Sequence, residues 1–323
     1  MTDFLPDDRD LVIPLEARGG LPKSVHLLEQ EQARAVNAAL ATGRPLLVRG
    51  LPGTGKSQFA RAAAEQLRRP FVATVVDGQT ETRDLLWTVD AVARLARAQA
   101  IGAMRPQSLH EVSEEIAPEK FVQPGALWWA FDWTDAENQA ERGGPGACLR
   151  VVDGFDTTRG CVVLVDEIDK ADATVPNGLL EALGNGSFNK PFGGTVTMNR
   201  ETPPLVVVTT NEERALPDAF LRRCLVLHLE LPKGRGERVR YLALRGEQHF
   251  EGKWGPLVQE AAELVADDYA AARRAGKSPP GVAEYIDLVR AVGSQRKDEV
   301  GQRDLLKLVK QFALEKHPRE ERP

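Results

Sequence analysis

Residues Gly50-Leu-Pro-Gly-Thr-Gly-Lys-Ser57 follow the pattern GxxxxGK[ST], directly after the apolar run Leu46–Val48 and ahead of the Ala-rich stretch Phe59–Leu67. This strand–loop–helix arrangement constrains the fold more than any other feature, since it demands a buried strand feeding a helix N-terminus. Glycines let backbone N–H groups crowd round phosphate oxygens, and the helix N-terminus adds the positive end of its dipole. In such a loop Lys56 reaches the β- and γ-phosphates of a nucleotide, and the Ser57 hydroxyl is a Mg²⁺ ligand. The alternative is a glycine-rich turn without a ligand, and the strand–loop–helix setting weighs against it.

The rest of the chain agrees with a loop of that kind. Pro45–Val48, Phe71–Val76, Cys161–Val165, Leu205–Thr209 and Leu225–Leu229 are short apolar runs bounded by polar or turn residues. Runs of that length predict strands buried on both faces of a parallel sheet. Helical stretches at Ser57–Leu67 and Thr174–Leu183 fall between them, so the spacing predicts an α/β domain with a covered sheet. His26–Thr42 has helical spacing and Gly43 is its natural stop. From Pro232 onward the strand signal ends, and Arg235–Gln248, Pro256–Arg274, Val282–Val292 and Arg303–Leu314 read as helices. The expected organisation is an extended, Pro/Gly/Asp-rich lead-in over 1–25, an α/β domain over 26–231 and a small all-helical domain over 232–323. Within residues 103–146 the aromatic cluster Trp128, Trp129, Phe131 and Trp133 is expected to serve packing rather than ligand stacking.

Composition removes several classes of function. The 323-residue chain carries a net charge of −5, which offers no global attraction to nucleic acid. It has no apolar run approaching a membrane span, and its first ten residues hold four aspartates and no apolar core segment, unlike a secretory leader. The three cysteines, Cys148, Cys161 and Cys224, form no CxxC pair. Sparse, unpaired thiols of this sort predict a reduced, cytoplasmic setting. The five histidines are scattered singly, so no zinc site is expected.

Three further elements carry chemistry. Cys161–Val165 runs into Asp166-Glu167, two carboxylates at the end of a buried strand, where open α/β sheets hold their ligands. Asp166 is the expected Mg²⁺-side carboxylate, and Glu167 is placed to polarise an attacking water; the competing reading is a solvated acidic turn. Leu205–Thr209 leads to Asn211, an amide on the same sheet edge that is placed to hold the water or touch the γ-phosphate, against an ordinary turn role. Leu216–Cys224 ends a helix on Arg222 and Arg223, either a solvated pair facing the helix dipole or a cation supplied to a neighbouring subunit's phosphate.

Together these stretches resemble the AAA+ ATPases, and their wording is similar to the MoxR-like branch: GLPGTGKS at Gly50–Ser57, VVLVDEIDKAD at Val162–Asp172, LLEAL at Leu179–Leu183 and LVVVTTNEERALPDAFLRRC at Leu205–Cys224. The resemblance implies ATP and Mg²⁺ as cofactors, with Gly50, Pro52, Gly53, Thr54, Gly55, Lys56 and Ser57 around the nucleotide and Ser57 with Asp166 on the metal. Glu167 would be the hydrolytic carboxylate, Asn211 the first sensor, and Arg223 the arginine finger with Arg222 as neighbour or substitute. A parallel sheet flanked by helices, followed by a helical lid, is the implied fold. The resemblance further implies an insert near 121–142, a hairpin near 186–202 and a hexameric ring. Phe188, Lys190 and Phe192 on that hairpin would project into a ring pore and grip a client. Around Pro279–Glu284 the sequence lacks the second sensor arginine common in the wider group; only Lys277 and Arg290 stand near.

The function expected from this resemblance is chaperone-like remodelling or assembly of a partner protein, such as one carrying a von Willebrand A domain. The alternatives are a nucleic-acid motor or loader, which the acidic charge disfavours, and an ATP-dependent scaffold, for which Glu167 would have little use.

Overall fold

The computed structural model describes residues 4–17, 23–104, 108–143 and 155–314. The chain forms two compact units: Met1–Pro6 with Glu31–Val48 and Ala63–Leu227, and Asp7–Gln30 with Arg49–Ala62 and His228–Pro323.

The first unit is built on a five-stranded parallel sheet in the order Leu225–His228, Leu46–Arg49, Leu205–Thr210, Val162–Asp166, Phe71–Val75. Each strand falls within a residue of the run expected from its apolar character. Val162–Asp166 sits between two neighbours, with Leu205 and Phe71 both opposite Val162. Its residues Val162–Val165 are buried, as a central parallel strand requires. The register also sets Val208 opposite Val165, so the next residues, Thr209 and Asp166, come level at the carboxyl end.

Within residues 103–146, the stretch hardest to read in the sequence, the described part includes a 3₁₀ turn at Pro118–Phe121, a strand at Val122–Pro124 and the helices Ala126–Phe131 and Trp133–Arg142. Trp128, Trp129, Phe131 and Trp133 are all buried in the core of this unit, alongside Val163, Val165 and Leu179. The aromatic cluster is packing, as its spacing implies.

The hairpin Ser187–Asn189/Thr195–Thr197 forms with Gly193 and Gly194 both at positive φ in its turn. Its three proposed client-gripping residues, however, face inward. Phe188 packs edge-on against Trp128 with ring centroids 5.9 Å apart, and Phe192 lies 6.4 Å from the same ring. Lys190 Nζ bonds Asp135 Oδ1 at 2.6 Å and lies 5.3 Å from the Trp128 centroid, while Trp128 Nε1 donates to Asp135 Oδ2 at 2.8 Å. A cation held at once by a carboxylate and an indole face has little reason to leave for solvent. The expectation that Phe188, Lys190 and Phe192 project from this chain is therefore corrected. Lys190→Ala should lower stability by about 1 kcal/mol in urea unfolding, and a null effect would mean that the contact is not formed in solution.

The second unit holds a helical core from Arg235–His249, Gly255–Arg274, Val282–Gly293 and Glu299–Ala313. Tyr285 is fully buried there, and its hydroxyl donates to the Val258 carbonyl at 3.1 Å. An antiparallel pair, Leu11–Leu15 with Ser24–Leu28, belongs to the same unit. The lead-in is therefore more ordered than its Pro/Gly/Asp content suggests. Alternation explains it: Ile13 and Leu15 are buried while Val12 and Pro14 are exposed. Consequently the first helix starts at Gln30 rather than His26, because Leu27 and Leu28 are spent on the strand.

Among the described residues no helix is long and apolar enough to cross a membrane. Cys161 and Cys224 are buried free thiols, and burial pushes each up to about 12. Cys148 lies outside the described residues.

Candidate functional site

The loop Gly50–Ser57 belongs to the second unit and opens the helix Lys56–Leu67. Gly53 and Gly55 have φ of 77° and 93°, the left-handed region that glycine adopts without strain. Gly50 is glycine for another reason: a Cβ there would stand 2.4 Å from the Leu229 carbonyl oxygen. Thr54 Oγ1 donates to the Leu51 carbonyl at 2.9 Å, closing the turn. Lys56 is buried, and its Nζ donates to the carbonyls of Gly50 at 2.7 Å and Leu51 at 3.0 Å. A buried ammonium beside its own loop, at a helix N-terminus and among backbone amides, is a donor set suited to a polyphosphate.

The start of the helix Val282–Gly293, in the same unit, rests on this loop. Ala283 N donates to the Gly53 carbonyl at 3.0 Å, and a Cβ at Gly281 would lie 2.8 Å from the Gly53 carbonyl carbon. Glu284 caps that helix, accepting from Gly281 N at 3.0 Å. The two basic residues near a second-sensor position are engaged elsewhere or exposed: Arg290 bonds Asp287 at 3.2 Å and His249 at 2.8 Å, and Lys277 is exposed.

The first unit carries a carboxylate cluster at the ends of two adjacent strands. The Thr209 hydroxyl donates to Asp166 Oδ1 and accepts from Glu167 N at 2.9 Å, so one side chain ties the two strand ends. Glu167 has left-handed backbone angles, φ 61° and ψ 45°, which cost a non-glycine residue on the order of 1 kcal/mol. That turn directs its carboxylate to Asn211, whose Nδ2 donates to Oε1 at 3.2 Å, and to Lys170, whose Nζ donates to Oε2 at 2.6 Å. The bond to Glu167 holds the Lys170 ammonium above its ordinary pKa. Beneath them Asp169, only 2% exposed, accepts from the backbone N–H of Asn211 at 3.4 Å and Glu213 at 2.9 Å. Asp166, Glu167 and Asn211 thus converge as their sequence positions lead one to expect. Thr209, Asp169 and Lys170 join the same cluster and were not singled out from the sequence, although all three lie inside the motif stretches.

Arg222 and Arg223 end the helix Asp218–Arg223 with both side chains exposed, and among the described residues neither has an acidic partner. Their carbonyls are held from within the same unit: the Arg44 guanidinium donates to the carbonyls of Arg222, Arg223 (3.0 Å) and Cys224 (3.1 Å). Arg44 was not anticipated; no local pattern links it to residues so distant in sequence.

A family profile described as AAA domain (dynein-related subfamily) matches residues 45–224. Solved structures of Thermotoga maritima RuvB resemble the chain at 15% identity. One RuvB mutant has a TM-score of 0.45 over 87% of this chain and 69% of its own, and a second scores 0.44 over 87% and 68%. The RuvB Holliday junction branch migration motor scores 0.41 over 87% and 67%. No curated protein sequence matches the chain. The profile spans more than half of the chain and encloses the phosphate loop, the carboxylate pair, Asn211 and both arginines, so the chain belongs to the AAA domain family, dynein-related subfamily, whose members are nucleotide-binding ATPases.

Proposed function

We propose that this chain is a Mg²⁺-dependent ATP hydrolase of the MoxR-like kind, acting in a hexameric ring whose turnover remodels or assembles a partner protein. The observation that carries hydrolysis, rather than binding alone, is the Glu167 carboxylate set by a left-handed turn beside Asp166 and Asn211. A protein that only bound ATP would have no need to hold that strained turn.

Lys56 and the backbone N–H groups around Gly53–Gly55 are assigned to the phosphates, and Gly50, Pro52 and Thr54 to the shape of the loop. The Ser57 hydroxyl and Asp166 are hard oxygen donors that fit Mg²⁺; when bound, the ion would neutralise phosphate charge. Glu167 orients and deprotonates the attacking water, and Asn211 fixes the side of Glu167 from which it does so. Arg223, with Arg222 beside it, serves the nucleotide of a neighbouring copy, which fits two exposed guanidiniums without acidic partners. The net charge of −5 favours a protein client over a nucleic acid, and a partner with a von Willebrand A domain fits the MoxR-like habit.

The reading is tested first at the loop. Removing one buried charge-assisted phosphate contact by Lys56→Ala should weaken ATP binding by roughly 10- to 100-fold. Equilibrium titration with a fluorescent ATP analogue measures this, beside phosphate release with and without Mg²⁺. Unchanged affinity would remove the loop from the nucleotide site. ATPase stimulated by DNA and falling steeply with salt would replace the protein client with a nucleic acid.

A further inference from the structure

The Glu167 carboxylate has both oxygens engaged within its own chain, and one partner lies outside the machinery assigned above. Oε1 takes the Asn211 amide, while Oε2 takes the Lys170 ammonium at 2.6 Å. The contact follows from local geometry. Ile168–Lys170 is a 3₁₀ turn with Glu167 as its N-cap, and in a 3₁₀ turn side chains three residues apart eclipse. The left-handed Glu167 backbone, tied through its N–H to Thr209, keeps the carboxylate over that turn. Lys170 is fixed in its own backbone as well: Lys170 N donates to the Glu167 carbonyl at 3.0 Å, and Arg214 Nη1 donates to the Lys170 carbonyl at 3.3 Å.

We propose that Lys170 is a positioning residue that restrains Glu167, holding its carboxylate in an ion pair that must open before Glu167 can take a proton from water. This rests on the reading of Glu167 as the water-activating group. With Oε2 on the Lys170 ammonium and Oε1 on the Asn211 amide, each oxygen has one lone-pair direction already taken, so a water must displace a partner to reach Oε2 in line. Lys170 has somewhere else to go. The Asp169 and Glu213 carboxylates also act on its ammonium, and its side chain is 41% exposed. Exchange of Lys170 from Glu167 toward Glu213 would free Oε2 without opening a buried contact. Both carboxylates lie on the segments Asp169 pins together, so a movement of the loop after Leu205–Thr210 would bias the exchange. No bond to the nucleotide is required of Lys170, so its effect should fall on kcat and leave KM alone.

The test compares steady-state ATPase of five full-length forms: the parent, Lys170→Met, Lys170→Arg, Glu167→Gln and Glu167→Gln/Lys170→Met. Loss of a half-exposed ion pair predicts a rise in kcat of about two- to fivefold for Lys170→Met, with KM for ATP unchanged. Lys170→Arg keeps a cation over Glu167 and should bring kcat back toward the parent. In the Glu167→Gln background the Lys170→Met change should do nothing, because there is no carboxylate left to release. Lys170→Gln is a second neutral replacement should Lys170→Met fail to fold, and the same rise is expected of it. A kcat that falls or stays level in both neutral variants, with KM intact, overturns the restraint. The two readings fail separately: Glu167→Gln turning over like the parent overturns the hydrolytic assignment itself, whereas an inactive Glu167→Gln with no rise in Lys170→Met overturns only the role of Lys170.

Discussion

Arg223→Ala is expected to bind ATP as the parent does and to hydrolyse it about 10³-fold more slowly, a trans-acting arginine being worth roughly 10³–10⁵ in phosphoryl transfer. Positive charge must meet the oxygens of the transferring phosphoryl group, and the loop lysine alone does not supply it from every side. Arg222 and Arg223 end a short helix, are exposed, and have no acidic partner among the described residues. A surface arginine pair serving only the helix dipole would be worth a few tenths of a kcal/mol to stability and nothing to turnover. The two outcomes therefore differ by orders of magnitude. Mixing is the decisive measurement. Arg223→Ala subunits keep an intact phosphate loop, and Lys56→Ala subunits keep an intact arginine. At ATP concentrations too low to saturate the Lys56→Ala loop, some interfaces in mixed rings join the good loop of one to the good arginine of the other, so activity should rise above that of either variant alone. Arg222→Ala run in parallel should cost less than Arg223→Ala. Absence of recovery on mixing, with both variants folded and assembled, would place the arginines outside the site.

How much of this was legible in the sequence depends on whether the cause was local. The five sheet strands could be read because each is a short, continuous apolar run. The three inner ones, Leu46–Arg49, Val162–Asp166 and Leu205–Thr210, are buried on both faces as expected, whereas the edge strands Phe71–Val75 and Leu225–His228 are buried only in part, since each has a neighbour on one side alone. The phosphate loop was equally plain, since its backbone angles at Gly53 and Gly55 ask for glycine. The pair Leu11–Leu15 and Ser24–Leu28 was missed because in the first only alternate residues are buried and Pro14 interrupts the run, while the second runs directly into the helix at Gln30 and was read as its start. At the site, Asp166, Glu167 and Asn211 were found from their place after strands. Thr209 and Lys170 were not, because their contacts come from register and turn geometry: Thr209 meets Asp166 since Val208 lies opposite Val165, and Lys170 meets Glu167 since the left-handed Glu167 caps the turn Ile168–Lys170. The hairpin at Ser187–Thr197 shows the same limit. Its existence was readable from Gly193-Gly194, but which way Phe188 and Lys190 face is decided by Trp128 and Asp135, more than fifty residues away.

Glu167→Gln should retain ATP binding while lowering kcat by about 10²–10⁴, the usual contribution of a positioned general base. The substitution keeps size and leaves Oε1 as an acceptor for Asn211 Nδ2, so the strained turn and the strand ends tied by Thr209 should survive. What it removes is the ability to accept a proton from water. The same change exchanges the Oε2 contact to Lys170 for an amide that cannot pair with a cation, which releases the lysine but leaves no base to benefit. Binding and hydrolysis should therefore separate: KM or analogue affinity close to the parent, turnover nearly gone, and the nucleotide held long enough to stabilise the assembled ring. Size-exclusion chromatography with ATP present reads the last of these, and single-turnover hydrolysis reads the first two. Asp166→Asn should behave differently, losing Mg²⁺-dependent affinity as well as rate, because that carboxylate is assigned to the metal rather than to the water. If Glu167→Gln hydrolyses at the parent rate while Asp166→Asn does not, the base lies elsewhere on the same sheet edge, and the strain at Glu167 would then need another explanation.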